Sequence, residues 1–369
     1  MPVNNPLDLS ELRSSLESAG NPWRAASTTM VRLTEEERVV RLGVPVDEAE
    51  HAEIMAAREQ HMAAAKAATV QAAGVPAAFD LRSIGGLDYS TAVKDQGNCG
   101  SCVAFGTVAT MEHVARYIDR APYLPVDLSE AHAFYGYGRE AGATCGSGWL
   151  PEPLLDRARD SGITFEDYFP YTPGDQDTSR LNADWPNRIA KAASWNGVTN
   201  DPAAMKQSIA TYGSIVACFY VYQDFFSYAG GVYRHRTGEL AGGHCVTLVG
   251  YDDAQSCWIA KNSWGTGWGE QGFFRIGYGE CGIESWHNCA VLGTTLHAWL
   301  PDQRVLGLWS NESDANVWAY GELRGWLSLG SAVPATDAAM LATLAASKSS
   351  GARVGLFEDS GRIQQIYAW

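Results

Sequence analysis

Three residues that together can perform nucleophilic catalysis lie far apart in this sequence: a cysteine, a histidine and an asparagine. Cys102 ends the run Gln-Gly-Asn-Cys-Gly-Ser-Cys at residues 96–102 and begins a helical pattern that continues to Ile118. A cysteine in the first turn of a helix meets the positive end of the helix dipole, which favours the thiolate over the thiol. Such a nucleophile also needs a base that holds an ion pair with it and later protonates the leaving amine.

His244 can serve as that base, and Asn262 can hold it in place. His244 begins the strand-like run His-Cys-Val-Thr-Leu-Val-Gly-Tyr, and Asn262 begins the run Asn-Ser-Trp-Gly farther along the chain. A hydrogen bond between Asn262, as donor or acceptor, and one ring nitrogen would fix the tautomer of the imidazole. Trp264 can cover that hydrogen bond and keep water away. The pattern therefore predicts acyl transfer through a cysteine thiolate.

These motifs resemble the papain family of cysteine proteases, and further motifs occur in the family's order. The resemblance begins at Val75-Pro76, continues through Cys-Gly-Ser-Gly-Trp at 145–149 and Tyr-Phe-Pro-Tyr at 168–171, and ends near residues 281–285. It implies an α+β fold with two lobes, one helical and one β-barrel-like, and a cleft between them.

The resemblance assigns a role to each of four residues. It implies that Cys102 is the nucleophile, that His244 is its ion-pair partner and general acid/base, and that Asn262 orients the ring. The Gln96 side-chain amide and the Cys102 backbone N–H would form the oxyanion hole. Loss of one such donor typically costs about 2.7–4 kcal/mol of transition-state stabilisation.

The resemblance also indicates which residues contact a substrate. Gly148 would present its backbone to an extended peptide, which then binds as an added strand. Gly243 and Trp264 are expected to line the same cleft. Trp286 falls where relatives have the floor of the pocket for the second side chain upstream of the cut. A tryptophan there predicts a shallow pocket that prefers small or medium apolar side chains.

All eight cysteines lie in the central part of the chain. The resemblance implies a disulfide between Cys99 and Cys145. With Cys102 as nucleophile, an odd number remains, so at least one thiol stays free unless it joins another molecule. The fate of these five is left open: Cys218, Cys245, Cys257, Cys281 and Cys289.

The elements around these residues divide into three predicted units. Residues 1–74 read as a helical segment, expected to be an inhibitory pro-segment because the family resemblance starts directly after it. Within it, Leu9, Leu12 and Leu16 stand at helical spacing, Gly43 is expected to end a second helix, and a third is expected over residues 47–73. Residues 75–297 form the catalytic unit, with helical patterns in its first half and strand patterns in its second. The helical patterns cover 102–118, 128–139 and 151–161, and the strand patterns include SIVACFYVY, HCVTLVGY, CWIAKNSW and GFFRIGYG.

Residues 298–369 form a third predicted unit, a small α+β domain of unknown role and unknown partner. Short strand patterns, a helical pattern over Asp337–Lys348 and a closing hairpin are expected. Its tryptophans would suit stacking on a sugar or a peptide, but packing in the core of a small domain is the favoured interpretation. These tryptophans are Trp309, Trp318, Trp326 and Trp369.

Composition limits the possible partners and compartments. The net charge of −15 argues against a nucleic acid or an anionic membrane as partner, and the apolar runs are too short for a membrane span. No metal or organic cofactor is expected, since the histidines make no metal-binding spacing with a cysteine. The chain shows no signal-peptide pattern, whereas the disulfide favours a secreted or other oxidising location; the cytoplasm is the alternative.

We therefore expect a cysteine endopeptidase that acts on peptides or proteins and is made as a zymogen. Its own pro-segment would occupy the cleft, and removal of about residues 1–74 would activate it. Two alternatives remain open. A transpeptidase or ligase would use the same acyl-enzyme if water were kept away, and a catalytically dead protease fold would serve binding.

Overall fold

A long buried helix packed on a mostly antiparallel sheet forms the centre of the molecule. The computed structural model describes residues 8–71, 74–313, 316–330 and 333–368. Its α-helices are α1 (Leu9–Ser18), α2 (Glu35–Val39), α3 (Glu48–Ala56), α4 (Arg58–Gln71), α5 (Cys102–Ile118), α6 (Pro151–Asp160), α7 (Pro202–Tyr212) and α8 (Pro334–Ser350), and a π-helix spans His132–Gly138. Its strands are β1 (Trp23–Ala25), β2 (Ala78–Asp80), β3 (Ile163–Thr164), β4 (Ile189–Ala192), β5 (Trp195–Gly197), β6 (Ile215–Tyr222), β7 (Tyr228–Tyr233), β8 (Leu240–Asp252), β9 (Cys257–Lys261), β10 (Phe273–Gly277), β11 (Cys289–Val291), β12 (Thr294–Ser310), β13 (Val317–Gly321), β14 (Gly325–Ser328), β15 (Arg353–Asp359) and β16 (Arg362–Ala368).

The helix α5 carries Cys102 at its first position and is buried along almost its whole length. Most of its residues are apolar, and its polar residues Thr107, Thr110, Glu112 and His113 are buried as well, so the helix is enclosed by protein. Its bounds confirm the helix predicted over 102–118. Gly106 lets it approach β8 closely, because a Cβ there would come within 2.9 Å of the Cys245 Sγ. This close approach brings the strand that carries His244 against the helix that carries Cys102.

A nine-stranded sheet makes up the second lobe, in the order β1-β7-β10-β9-β8-β6-β11-β5, with β2 paired to β8. Its central strand β6 is buried at every position, as expected of a continuous apolar run. The helices α5, α6 and the π-helix belong to the first lobe. The arrangement confirms the predicted two-lobed α+β fold.

Residues 8–71 wrap around this body as helices and one short strand. In α1, Leu12 and Leu16 are buried, as their helical spacing predicts. Thr34 and Glu37 form a capping box at the start of α2. A single helix was expected over residues 47–73; the structure has α3 and α4, which meet at Ala57, and residues 72–73 lie outside the described part.

The end of the chain builds a second sheet with the catalytic body. Its seven strands have the order β13-β14-β16-β15-β12-β4-β3, and α8 packs on it. The predicted hairpin is present as β15 and β16. Strand β12 is continuous from Thr294 to Ser310, so it crosses the boundary predicted between residues 297 and 298. The division into units at that point stays a prediction.

The expectation that the C-terminal tryptophans form a core is wrong for two of them. Trp309 and Trp326 are each 48% exposed, and Trp318 is half-buried. All three lie on the sheet face that α8 does not cover, whereas Ala319 and Leu327 at alternating positions are buried. Trp369 lies outside the described residues. Over the described ranges, the structure has no helix long and apolar enough to cross a membrane.

Candidate active site

Cys102 lies at the bottom of a cleft that the protein's own N-terminal segment covers. Its side chain is fully buried, and its Sγ accepts a hydrogen bond of 3.3 Å from the backbone N–H of Gly43. Burial, together with the nearby Cys245 thiol, raises the pKa of Cys102 to about 12. The helix dipole favours a thiolate, but in the covered cleft the cost of burying a charge is larger. In this state Cys102 is a neutral thiol.

His244 and Asn262 meet as the sequence predicts. The His244 Nε2 lies 2.8 Å from the Asn262 Oδ1, and both side chains are buried. The Trp264 ring lies over the imidazole, with ring centres 4.7 Å apart, so it shields this hydrogen bond. Within the described part of the chain, the other ring nitrogen, Nδ1, has no hydrogen-bond partner. Burial lowers the pKa of His244 to about 4, so the ring is neutral near pH 7.

The Gln96 side chain is held at both ends of its amide. Its Nε2 donates to the backbone carbonyls of Arg41, at 2.9 Å, and of Cys99, at 2.7 Å. Its Oε1 accepts from the Ser263 hydroxyl at 2.7 Å, which fixes the direction of the amide. Ser263 was not identified from the sequence, although it stands between Asn262 and Trp264.

The pro-segment crosses the cleft as an extended chain bonded on both sides. The Gly43 carbonyl accepts from the Trp149 N–H at 2.9 Å, and the Val44 N–H donates to the Gly243 carbonyl at 3.1 Å. A Cβ on Gly148 would come within 1.9 Å of the Gly43 oxygen. Gly148 and Gly243 therefore both lie against an extended peptide, but on the first side the donor is Trp149.

Arg41 anchors this crossing by its side chain. Its Nη1 lies 2.8 Å from the Asp95 carboxylate, and its Nη2 donates to the Asn98 Oδ1 at 3.1 Å. Both partners belong to the loop that also carries Gln96. Sequence reasoning missed this contact, because nothing in residues 35–45 marks which part of the pro-segment enters the cleft.

Trp286 forms an apolar wall beside Gly243. It is almost completely buried and stacks on Tyr220, with ring centres 4.3 Å apart. Its Nε1 donates to the Glu50 carboxylate at 3.0 Å, so α3 of the pro-segment also contacts it. A Cβ on Gly243 would come within 2.4 Å of the ring, which places the indole directly against the cleft backbone.

A disulfide joins the two loops that border the nucleophile. Cys99, just before α5, is bonded to Cys145, just before Gly148, as the resemblance implies. The Gly100 N–H also donates to the Cys145 carbonyl at 2.9 Å. The remaining cysteines are free and buried: Cys102, Cys218, Cys245, Cys257, Cys281 and Cys289.

The two lobes, the buried cysteine and the covered cleft define a cysteine peptidase held in a zymogen form. Residues 75–291 match the family model described as papain family cysteine protease. The chain belongs to that family.

Named relatives agree with this assignment, and a solved structure has a similar fold. The chain is 35% identical over 228 residues to "Cathepsin B-like CP2" of Giardia intestinalis, which covers 57% of this chain and 72% of the relative. It is 30% identical over 284 residues to "Gut-specific cysteine proteinase" of Caenorhabditis elegans, covering 70% of this chain and 84% of the relative. The fold is similar to that of proCathepsin B S9 from Trypanosoma congolense, with a TM-score of 0.60, 21% identity, and coverage of 77% of this chain and 98% of that chain.

Proposed function

We propose that the protein is an endopeptidase that cleaves peptide bonds through an acyl-enzyme on Cys102. The observation that carries the proposal is the pro-segment itself. An extended peptide of this chain lies across Cys102, with backbone hydrogen bonds to Trp149 on one side and Gly243 on the other. A cleft that holds a peptide in this way can hold a substrate by the same backbone groups.

The catalytic steps follow from the groups around Cys102. Once the cleft opens to water, the burial that keeps thiol and imidazole neutral is relieved, and His244 takes the proton from Cys102. The thiolate attacks the substrate carbonyl carbon, and the Gln96 Nε2 with the Cys102 N–H stabilises the oxyanion. The imidazolium then protonates the leaving amine, and a thioester remains. His244 next removes a proton from a water molecule, whose attack releases the carboxylic acid and restores the thiol.

The same geometry explains why the bound pro-segment would be a poor substrate. The carbonyl held by the Gln96 amide belongs to Arg41, whereas the atom at the Cys102 Sγ is the amide nitrogen of Gly43. The oxyanion-hole donor and the nucleophile therefore contact different peptide groups of the pro-segment, so no single peptide bond is positioned for attack. We infer that residues 1–74 inhibit by occupying the cleft and that their removal activates the enzyme.

The wall formed by Trp286 supports a preference for small or medium apolar side chains in the adjacent pocket. Its indole is rigid, because it stacks on Tyr220, and its ring lies against Gly243. We expect Trp286→Ala to deepen this pocket and to shift a peptide-library profile towards larger residues. An unchanged profile, or a wild-type profile dominated by arginine or phenylalanine, would contradict this assignment.

Intact-mass spectrometry during incubation with reductant at mildly acidic pH tests the proposal, with peptide hydrolysis followed in parallel. The wild type should lose mass corresponding to cleavage near Val75 and gain activity, while Cys102→Ala should do neither. Cys257→Ala, which removes another buried free thiol, is the matched control and should behave as wild type. Activity without cleavage would show that residues 1–74 do not inhibit; activity in Cys102→Ala would overturn the assigned nucleophile.

A further inference from the structure

Cys102 belongs to a group of free thiols that lie near one another where helix α5 packs on the nine-stranded sheet. Cys218 on β6 stands directly opposite Cys245 on β8, so both side chains point to the same face of the sheet. Cys289 on β11 lies opposite Val216, two residues from Cys218 on β6, and therefore shares that face. All four cysteines are buried, and none is in a disulfide. The catalytic steps give a role to Cys102 alone.

The Cys245 sulfur lies about one helical turn from Cys102. It contacts Gly106, where a Cβ would come within 2.9 Å of the sulfur. Cys102 and Gly106 are four residues apart in α5, so they lie on the same face of the helix, and a Cβ on Gly106 would point back towards Cys102. The Cys245 sulfur therefore faces the side of α5 that carries the nucleophile.

The electrostatics of Cys102 agree with this placement. Burial raises the pKa of Cys102, the Cys245 thiol raises it further, and the Cys245 backbone N–H lowers it by interacting with the sulfur. Both the thiol and the backbone of Cys245 are thus close to the nucleophile. A disulfide joins residues whose Cα atoms lie within about 7 Å of each other, and the close approach of β8 to α5 allows this for the two cysteines.

Only one of these two thiols becomes accessible when the cleft opens. In the covered cleft both side chains are fully buried, and the Gly43 N–H lies on the Cys102 sulfur. Departure of the pro-segment would expose Cys102 and let it ionise, whereas Cys245 stays enclosed between β8 and α5. A thiolate that meets solvent is the form that peroxides oxidise, and a buried neutral thiol reacts slowly.

We propose that Cys245 is a resolving cysteine, which captures an oxidised Cys102 as a disulfide. The Cys102 thiolate attacks hydrogen peroxide and becomes a sulfenic acid, and the hydroxide that leaves takes the proton that His244 removed from Cys102. The Cys245 sulfur then attacks the Cys102 sulfur, and the Cys245 proton leaves with the hydroxyl group as water. Two thiols are oxidised to one disulfide, and one peroxide molecule is reduced to two water molecules.

This modification makes the inactivation by peroxide reversible. The disulfide blocks further oxidation of Cys102 to the irreversible sulfinic and sulfonic acids, and a low-molecular-weight thiol can reduce it to restore the nucleophile. The inference rests on the proposed function, since it needs Cys102 to be an exposed thiolate after the pro-segment has left. In the zymogen the covered cleft already protects Cys102.

Treatment of the activated enzyme with hydrogen peroxide, after removal of the reductant, tests the proposal by peptide mapping. Peptide hydrolysis is measured first, so a failure of the proposed function is seen before peroxide is added. The wild type should lose activity and about two mass units, for the two hydrogens of a new disulfide, which fragmentation should place between Cys102 and Cys245. Dithiothreitol should then restore most of the activity. An enzyme that hydrolyses peptides but forms no such disulfide overturns this proposal alone.

Cys245→Ala should convert the reversible loss of activity into an irreversible one. Without the resolving thiol, Cys102 should gain about 32 mass units as a sulfinic acid, and the loss that dithiothreitol cannot restore should be at least about tenfold faster than in wild type. Cys257→Ala is the matched control and should behave as wild type, because Cys257 is a buried free thiol that shares a tryptic peptide with Cys245. Equal recovery of Cys245→Ala and wild type would contradict the role of Cys245.

A second variant keeps the test decisive if Cys245→Ala folds poorly. Cys218→Ala leaves Cys102 and Cys245 in place, so both the disulfide and the recovery with dithiothreitol should be kept. Loss of the recovery, together with a wild-type disulfide between Cys218 and Cys245, would assign the oxidation to that pair and overturn the proposal.

The uncut zymogen gives the last comparison. Its Cys102 is a buried neutral thiol, so the disulfide to Cys245 should form at least about tenfold more slowly than in the activated enzyme. Equal rates in the two forms would show that exposure of Cys102 does not start the reaction, which would overturn the proposed sequence of steps.

Discussion

The two ends of the chain join the catalytic body in different ways. The N-terminal segment contacts a surface that is complete without it: β1 adds three residues to the edge of the first sheet, and residues 41–44 lie in the cleft. The C-terminal part shares a sheet with the body, because β12 pairs with β4 on one side and with β15 on the other. We therefore expect that the N-terminal segment can leave while the fold persists, whereas the C-terminal part cannot.

Two individual ion pairs show the same difference, although Arg58 of α4 also pairs with the buried Glu280 carboxylate. Arg324 in the C-terminal part donates two hydrogen bonds of 2.6 Å to Glu358 and also pairs with Asp119, directly after α5. Arg324 and Glu358 are almost completely buried. In the N-terminal segment, Arg41 pairs with Asp95, whose side chain is 53% exposed. A buried network fixes two parts of a fold, whereas a partly exposed pair can separate and be solvated.

The largest expected effect comes from breaking the buried network. Arg324→Ala leaves Glu358 buried without its main partner and should lower the free energy of unfolding by about 3–5 kcal/mol. Urea denaturation followed by circular dichroism measures this loss. Arg362→Ala, which removes an exposed arginine on β16, is the control and should stay within about 0.5 kcal/mol of wild type. A similar loss of unfolding free energy in both variants would contradict the distinction between a buried charge network and an exposed arginine.

Gly43→Val should release the pro-segment from the cleft and leave the body folded. A Cβ at this position would come within 1.9 Å of the Gly100 backbone oxygen, which has no room to move away. We expect the peptidase activity of the uncut zymogen to rise by about 100-fold, which corresponds to about 2.7 kcal/mol of lost docking. Initial rates with a fluorogenic peptide, with the intact mass checked, give the measurement.

Gly197→Ala is the matched control for this prediction, because open space surrounds the new methyl group there. It should leave the zymogen as inactive as the wild type. If Gly43→Val also stays inactive, the crossing at Gly43 is not what blocks the cleft.

A smaller effect is expected when the anchor of the crossing is removed. Arg41→Ala loses the pair with Asp95 and the hydrogen bond to Asn98, but solvent already screens the carboxylate. Such exposed ion pairs contribute about 0.2–1 kcal/mol to the stability of the contact that they make. The activity of the uncut zymogen should therefore rise less than about fivefold, and the difference from wild type should shrink at high salt. No change should follow from Arg32→Ala, an exposed residue of the same segment.

The smallest expected effect is the change of zymogen cleavage with pH. His51 lies 2.9 Å from the Tyr222 hydroxyl and His61 lies 2.8 Å from the Ser285 hydroxyl, and burial lowers the pKa of both histidines in the docked state. Docking therefore favours the neutral rings. Docking of the pro-segment is strongest above the pKa of the free histidines, about 6.5, and it weakens as the pH falls below that value.

Cleavage of the wild-type zymogen should consequently accelerate as pH falls from about 7 to 5. In the double variant His51→Gln/His61→Gln this dependence should be flatter, which time courses at several pH values would show. A dependence as steep as in the wild type would place the pH response in other groups.

Much of the body could be predicted from the sequence because its signals are local. Helix α5 is marked by its apolar run and by the motif that ends at Cys102, and β6 by eight consecutive apolar residues. The hydrogen bond between His244 and Asn262 is predicted from the chemistry that a cysteine nucleophile needs, and the family resemblance supports it. These features depend on residue types that stand next to each other or on motifs that keep their order.

The remaining features depend on contacts between residues that are far apart in the sequence, and no local pattern predicts these contacts. Gly43 was expected only to end a helix, but the lack of a side chain lets it pass over Cys102 and Gly148. The tryptophans of the catalytic body and of the C-terminal part look alike in sequence, yet Trp264 is buried and Trp309 is exposed. A composition shift near residue 298 does not reveal a strand that runs across it.

The shared strand β12 also sets an order of events during synthesis. Strand β4 leaves the ribosome long before β12, so one of its edges has no partner until the residues beyond Thr294 emerge. A chain stopped early would therefore expose an unpaired edge, which is a site for aggregation. The second sheet therefore closes only after β12, β15 and β16 have been synthesised.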